Sequence, residues 1–305
     1  MANSLRIKHL HTLTGHNGSV YSLQKLDDTS FLSAGGDGWI VKWDFNSEEV
    51  GLGKLVAKTE TQIFTLHYDS ISNLLVAGDM HGELHFIDFD ESQSSRRFQH
   101  HKKGVFAIAR HRDYIYTLGG GGMLSKWDTN KIGVVESVQL SGHSLRSIAI
   151  SDTTIYIGCS DRNIYMIDTD TEKNIEVVKY AHENSVFSLA FDSRLQQLLS
   201  GGRDAMLNIW TEGDDLNIYK GLAAHLFTIN TININPSGRL FATGSRDKTI
   251  KIWDAKSYKL LKVIESIRDK GHVNSVNHLL WLSDTILISC SDDRTIKIWD
   301  VNFKV

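Results

Sequence analysis

The chain has 305 residues, of which 41 % are apolar and 23 % charged, and its net charge is −3. That balance excludes a disordered chain and supplies apolar surface for a sizeable core. It lacks the basic excess of a DNA-binding protein, and no apolar run approaches the length of a membrane-spanning helix.

Residues 1–15 carry Arg6, Lys8, His9 and His11 and no apolar stretch, so no signal peptide is expected. Within them, residues 5–13 (LRIKHLHTL) alternate like a strand. From there one pattern recurs, an alternating apolar run ending in Trp-Asp or a relative of it. It ends at Trp43-Asp44, Ile87-Asp88, Trp127-Asp128, Ile167-Asp168, Trp210-Thr211, Trp253-Asp254 and Trp299-Asp300. The intervals are 44, 40, 40, 43, 43 and 46 residues, the period of a unit of four short strands.

The sixth unit is the clearest. Residues 228–234 (TINTINI) alternate polar and apolar, and Asn235-Pro236-Ser237-Gly238 is turn chemistry. Residues 240–243 and 249–253 read as further strands around a turn at 245–248, and 258–264 as a fourth. The last unit has only residues 301–305 beyond it, so it lacks a fourth strand of its own. Residues 5–13 are predicted to complete it and seal the edge. The expected fold is all-β: one seven-bladed propeller domain over residues 1–305, with four-stranded antiparallel blades and a ring closed by the N-terminal strand.

The two cysteines, Cys159 and Cys290, stand three repeats apart. A closed ring would hold them beyond bonding distance, so they read as buried free thiols in a reducing compartment, with the cytoplasm as the expected location.

These residues resemble the WD40-repeat family, most fully at 225–254 and 272–300, with Ala224-His225, Gly271-His272 and two copies of TIKIWD at 249–254 and 295–300. The resemblance covers nearly the whole chain. It implies a hydrogen-bonded set in each blade: His before the blade, Ser or Thr on its second strand, Asp in the next turn and Trp on the third strand. Four units have all members: His16, Ser33, Asp37 and Trp43; His182, Ser200, Asp204 and Trp210; His225, Thr243, Asp247 and Trp253; His272, Ser289, Asp293 and Trp299. The third has His101, Thr117 and Trp127 but Gly121 at the acid place. The fourth has His143 and Asp161 but Ile157 and Ile167. The second, with Thr59, Ala77, His81 and Ile87, has lost the set, and packing alone is expected to hold it.

By the same resemblance, partners bind around the channel mouth, through residues three and five after the motif His and one before the motif Asp. The fifth residues are Tyr21, Phe64, Phe106, Ile148, Phe187, Asn230 and Asn277, and the other places add Gln62, Arg146, Arg203, Arg246 and Asp292. Aromatic side chains beside Arg suit a binding hot spot, although bulk packed between blades would leave the same signature. The opposite face carries Asp27, Asp28, Asp69, Asp113, Asp152, Asp192 and Asp284 in its turns. Glu48, Glu49, Asp90, Glu91, Asp170, Glu172, Asp214 and Asp215 stand in its outer loops. Solvated turns account for them.

The expected function is a non-catalytic scaffold for a protein or peptide, acidic or apolar, monomeric by itself and without DNA or membrane partners. An enzyme sited in the channel mouth and a single-stranded RNA binder are the alternatives. Ser, His and Asp together invite a hydrolase, but a nucleophile needs one exposed site, not four repeated sets each with a Trp. Gly119-Gly120-Gly121-Gly122 lacks the Lys-Ser/Thr of a phosphate loop and reads as a turn. His100-His101-Lys102-Lys103 reads as a solvated loop. His9, His11, His81, His85 and His100 form no spaced ligand set with cysteine or carboxylate, so no metal or cofactor is expected.

Overall fold

The computed structural model describes residues 5–47, 50–89, 95–171, 175–211 and 216–303. Within them the chain forms seven antiparallel sheets of four strands. Blades one to seven have as innermost strands Val20–Lys25, Ile63–Asp69, Val105–His111, Leu145–Ile150, Val186–Asp192, Ile229–Ile234 and Val276–Trp281. Six blades use four consecutive strands; the seventh takes Leu5–Leu13 as its outer strand. That strand lies antiparallel to Ile296–Phe303, from Leu5 opposite Phe303 to Leu13 opposite Ile296. The N-terminal closure expected from the repeat is thus the closure observed.

The strands follow the sequence pattern. Second strands such as Leu74–Asp79 and Leu240–Ser245 are buried at every residue, as strands covered on both faces must be. Outer strands such as Lys54–Lys58 are charged and largely open to water, which blunts the exposed edges. In blade six the outer strand is Leu260–Ile264. It starts two residues later than expected because Tyr258 takes a left-handed conformation (φ 57°) and turns the chain.

The core is a ring of seven apolar clusters, one between each pair of neighbouring blades. The cluster between blades seven and one joins Ile288, Ile296 and Ile298 to Val20, Phe31 and Trp43, with Leu13 across the seam. Cys159 and Cys290 are buried and free, in clusters on different sides of the ring.

The turn between second and third strands is the same in all seven blades. In blade one the Gly38 N–H donates to the Gly35 carbonyl, and Gly38 is left-handed at φ 71°. Gly122 (φ 86°) holds that place in blade three, so Gly119–Gly122 is a hairpin turn. In blades four to seven Arg162, Ala205, Lys248 and Arg294 adopt it despite carrying a Cβ.

Candidate functional site at the channel mouth

Four blades contain the complete hydrogen-bonded set. In blade one the Trp43 indole N–H donates to Ser33 Oγ at 2.8 Å, and His16 Nε2 meets the same oxygen at 2.8 Å. His16 Nδ1 lies 3.0 Å from Asp37. Because carboxylate only accepts, Nδ1 carries the proton and the serine hydroxyl donates to Nε2. The sets at His182, His225 and His272 repeat this, with Nδ1–carboxylate distances of 3.0, 2.9 and 2.9 Å. Each Asp also accepts the N–H after its own histidine, at Asn17, Glu183, Leu226 and Val273. Turn and entering loop are thereby tied together.

Burial pushes the Asp247 and Asp293 carboxyls up, but the hydrogen bond and charge of His225 or His272, the Thr249 or Thr295 hydroxyl and the Leu226 or Val273 N–H together outweigh it and leave both well below the usual carboxylate range. Ser33, Ser200 and Ser289 have no exposed surface, so none of these hydroxyls can reach a substrate.

The altered blades differ from one another. In blade three, Thr117 accepts from Trp127 and meets His101 Nε2, both at 2.9 Å. Gly121 supplies no carboxylate, and His101 Nδ1 is buried without a partner. Burial, aided by His100, pushes that imidazole down to about 4. A Cβ on Gly121 meets only Lys102 Cβ at 3.8 Å. Gly121→Asp is therefore expected to satisfy Nδ1 and stabilise the ring by about 0.5–1.5 kcal/mol. Differential scanning calorimetry reads this directly: a melting temperature unchanged or lowered would mean that the carboxylate does not engage His101.

In blade four the expected register is wrong by two residues at its entry. The motif histidines stand four residues before the innermost strand, as His16 before Val20 and His182 before Val186. Ahead of Leu145 that place belongs to Ser141, and His143 is exposed. Ser141 and Tyr165 donate to Asp161 at 2.7 and 2.6 Å, so the acid is held without imidazole. In blade two the four expected positions are indeed without a network, but packing is not its only support. Asp79 accepts from the Thr61 hydroxyl at 2.6 Å and from the N–H groups of His81 and Glu83 at 2.9 and 2.8 Å.

At the second residue of every innermost strand the ladder slips by one. The bulged residues are Tyr21, Phe64, Phe106, Arg146, Phe187, Asn230 and Asn277. A bulge re-aims its side chain, and all seven line one cavity of about 690 Å³ in the channel. Arg146 thus takes the ring place that the sequence reading gave to Ile148, because Gly142-His143 mimics the entry pair two residues too late. Ile148 also lines the cavity, with Leu23, Leu66, Ile108, Leu189 and Ile232.

The ring residues are half-buried, so the aromatics are neither sealed between blades nor free in water. Tyr21 meets Phe64 edge-on at 5.5 Å, and Phe64 stacks on Phe106 at 5.6 Å. The Arg146 guanidinium lies 4.2 Å from the Phe106 ring centre and 5.2 Å from that of Phe187. Its Nε–H donates to Ser160 Oγ at 2.9 Å, which orients it. Burial lowers the guanidinium pKa, yet arginine keeps its charge. Across the mouth, Asn230 donates to Ser275 and to the Val276 carbonyl, and Asn277 to the Val20 carbonyl and to Asp292. Five blades therefore offer an apolar, cationic arc and two a polar one. Arg246 and Asp292 also line the cavity. Gln62 and Arg203, expected at the rim, are not part of its lining.

On the opposite face several turn carboxylates are engaged by neighbouring backbone N–H groups and side chains. Asp27 accepts from the Ser30 hydroxyl and from the N–H groups of Thr29 and Ser30, which bring it down to about 2. Asp69 is bound by Ser72 and Arg110, and Asp192 by Arg194. Glu48, Glu49, Asp90, Glu91, Glu172, Asp214 and Asp215 lie outside the described residues.

The chain is similar to the nuclear distribution protein nudF of Emericella nidulans, at 30 % identity over 53 % of this chain and 41 % of that protein. It is also similar to the ribosome biogenesis protein WDR12 homolog of Drosophila sechellia, at 29 % over 49 % of this chain and 39 % of that one. It thus spans less than half the length of these curated relatives. The crystal structure of the WD40 β-propeller domain of Doa1 superposes with a TM-score of 0.83 at 18 % identity, covering 97 % of each chain, a likeness of fold alone. The family model for the WD domain, G-beta repeat, matches residues 7–44, 174–211, 217–254 and 261–300, half of the chain. Its matches hold the four complete networks and pass over the blades where the set is altered. By that match and by its seven closed sheets, the chain belongs to the WD40-repeat family of β-propellers.

Proposed function

We propose that the protein is a non-catalytic scaffold that captures a protein or peptide at the channel mouth. The observation that carries this reading is the arc Tyr21–Phe64–Phe106–Arg146–Phe187, half-exposed and already ordered by its own ring contacts. Aromatic and Arg side chains dominate binding hot spots, and pre-ordered ones lose little freedom on association. The arc suits an apolar segment bearing a carboxylate, which would meet Arg146 between its two rings. The buried thiols of Cys159 and Cys290 suit a reducing setting, and we place the protein in the cytoplasm.

The test is the triple variant Phe64→Ala, Phe106→Ala, Phe187→Ala, compared with the unaltered protein in a pull-down from native lysate. Partners held by the unaltered ring should be lost, a fall in affinity of at least about tenfold. Circular dichroism should show the same β spectrum for both. A folded triple variant that holds the same partners would remove the channel mouth from consideration.

A further inference from the structure

We propose that blade two contains a binding site for one divalent transition-metal ion, Zn²⁺ foremost, formed by Asp79, Glu83 and His85. Asp79 ends the second strand of the blade, and Glu83 opens the third across a tight turn. Glu83 and His85 are two residues apart on that strand, so their side chains share a face. His85 stands opposite Ala77, the position where five other blades have the network serine or threonine. The small residue leaves the imidazole beside the turn.

His85 Nε2 lies 3.6 Å from Asp79 Oδ2 and 3.6 Å from Glu83 Oε2, and the three ligand atoms fall within 4.8 Å of one another. Hydrogen bonds of nitrogen to oxygen close at about 2.7–3.2 Å, so these gaps are too wide for them. Two ligands each about 2.1 Å from a tetrahedral ion stand about 3.4 Å apart, close to the observed spacing. Moreover, His85 is only 4 % exposed, and its Nε2 is buried with no hydrogen-bond partner. A buried, unsatisfied imidazole nitrogen directed between two carboxylates is what an unfilled ligand set looks like.

The surroundings fit the same reading. Asp79 is held in place by Thr61 and by two backbone N–H groups, as outer hydrogen bonds hold metal-binding carboxylates. The Glu83 side chain is 26 % exposed, which gives an ion a way in and leaves room for water at a fourth position. One imidazole and two carboxylates, with no thiolate, suit Zn²⁺ or Co²⁺ and match a dication in charge. Bound there, the ion would clamp the hairpin of the one blade that lacks every member of the His-Ser-Asp-Trp set.

The test uses the full chain, stripped with chelator and titrated with Zn²⁺ alone and with Co²⁺ alone. Calorimetry should give one ion per chain, and Co²⁺ should develop the visible bands of a low-coordinate site. At Zn²⁺ about a hundredfold above its dissociation constant, the melting temperature should rise by about 2–5 °C. Glu83→Gln, at a partly exposed position where folding is not at risk, should weaken binding at least about tenfold, and His85→Ala should do the same. Failure to bind stoichiometrically up to millimolar Zn²⁺ overturns the proposal and leaves His85 as a plain ion-pair partner. Equal affinity in Glu83→Gln and the unaltered chain also overturns it, because the ion would then sit on other histidines.

Discussion

Removal of residues 1–13 is expected to lower the melting temperature by more than about 10 °C, or to abolish a cooperative transition altogether. Leu5–Leu13 makes eight registered pairs with Ile296–Phe303. Leu13 is 2 % exposed in the cluster between blades seven and one, Leu5 and Ile7 pack on the cluster between six and seven, and the His9 ring lies edge-on 5.2 Å from Trp299. Ladder hydrogen bonds at about 1 kcal/mol each and apolar burial at about 25 cal/mol/Å² put the loss on the order of 5–10 kcal/mol. A domain typically has only about 5–15 kcal/mol in total. The truncated chain would also expose the full edge of Ile296–Phe303, a template for aggregation. A synthetic peptide of residues 1–13 should restore the melt by pairing in trans. A truncated ring melting like the full chain would show that Leu5–Leu13 is not what closes it.

Mild acid is expected to unfold the ring, chiefly through buried imidazoles. Burial pushes His67, His101 and His278 down to about 4 from the ordinary 6.5. For His67 the Asp69 carboxylate opposes the shift and Arg110 adds to it. His278 Nδ1 accepts the Leu23 N–H at 3.1 Å from the neighbouring blade, a bond that protonation at Nδ1 destroys. As pH falls below about 6.5 the unfolded chain takes up these protons and the folded ring does not, so each pH unit favours unfolding by about 1.4 kcal/mol per imidazole. The stability they contribute is present above pH 6.5 and is lost down to about 4; three groups make that several kcal/mol. Asp247 and Asp293, held low in the fold, add a loss in the same direction at still lower pH. Chemical denaturation at pH 7, 5.5 and 4.5 reads the effect. His278→Asn, which keeps an acceptor but does not titrate, should shift the acid midpoint downwards. Stability flat from pH 7 to 4.5 would contradict the assignment of buried neutral imidazoles.

Residue order alone determined the architecture: seven units, four strands in each, and the strand at Leu5–Leu13 as the final one. Each of these is a periodic or local pattern, readable because strand alternation and turn chemistry act over a few residues. The sixteen residues of the complete networks came from the resemblance to the WD40 repeat, since their members stand too far apart in sequence for local pattern to pair them. Tertiary packing decided the rest. Gly142-His143 has the look of an entry pair, but the register of blade four is set by its bulge at Arg146, and so Ser141 meets Asp161 while His143 faces water. Whether Phe64, Phe106 and Phe187 were spacers or a surface depended on bulges that a sequence does not display. Asp79, Glu83 and His85 looked unrelated at spacings of four and two, and converge only after a tight turn folds one strand back on another. Contacts between residues of one strand follow from their order, whereas contacts across a turn or between blades follow from register, which is chosen by the whole ring as it buries its apolar faces together.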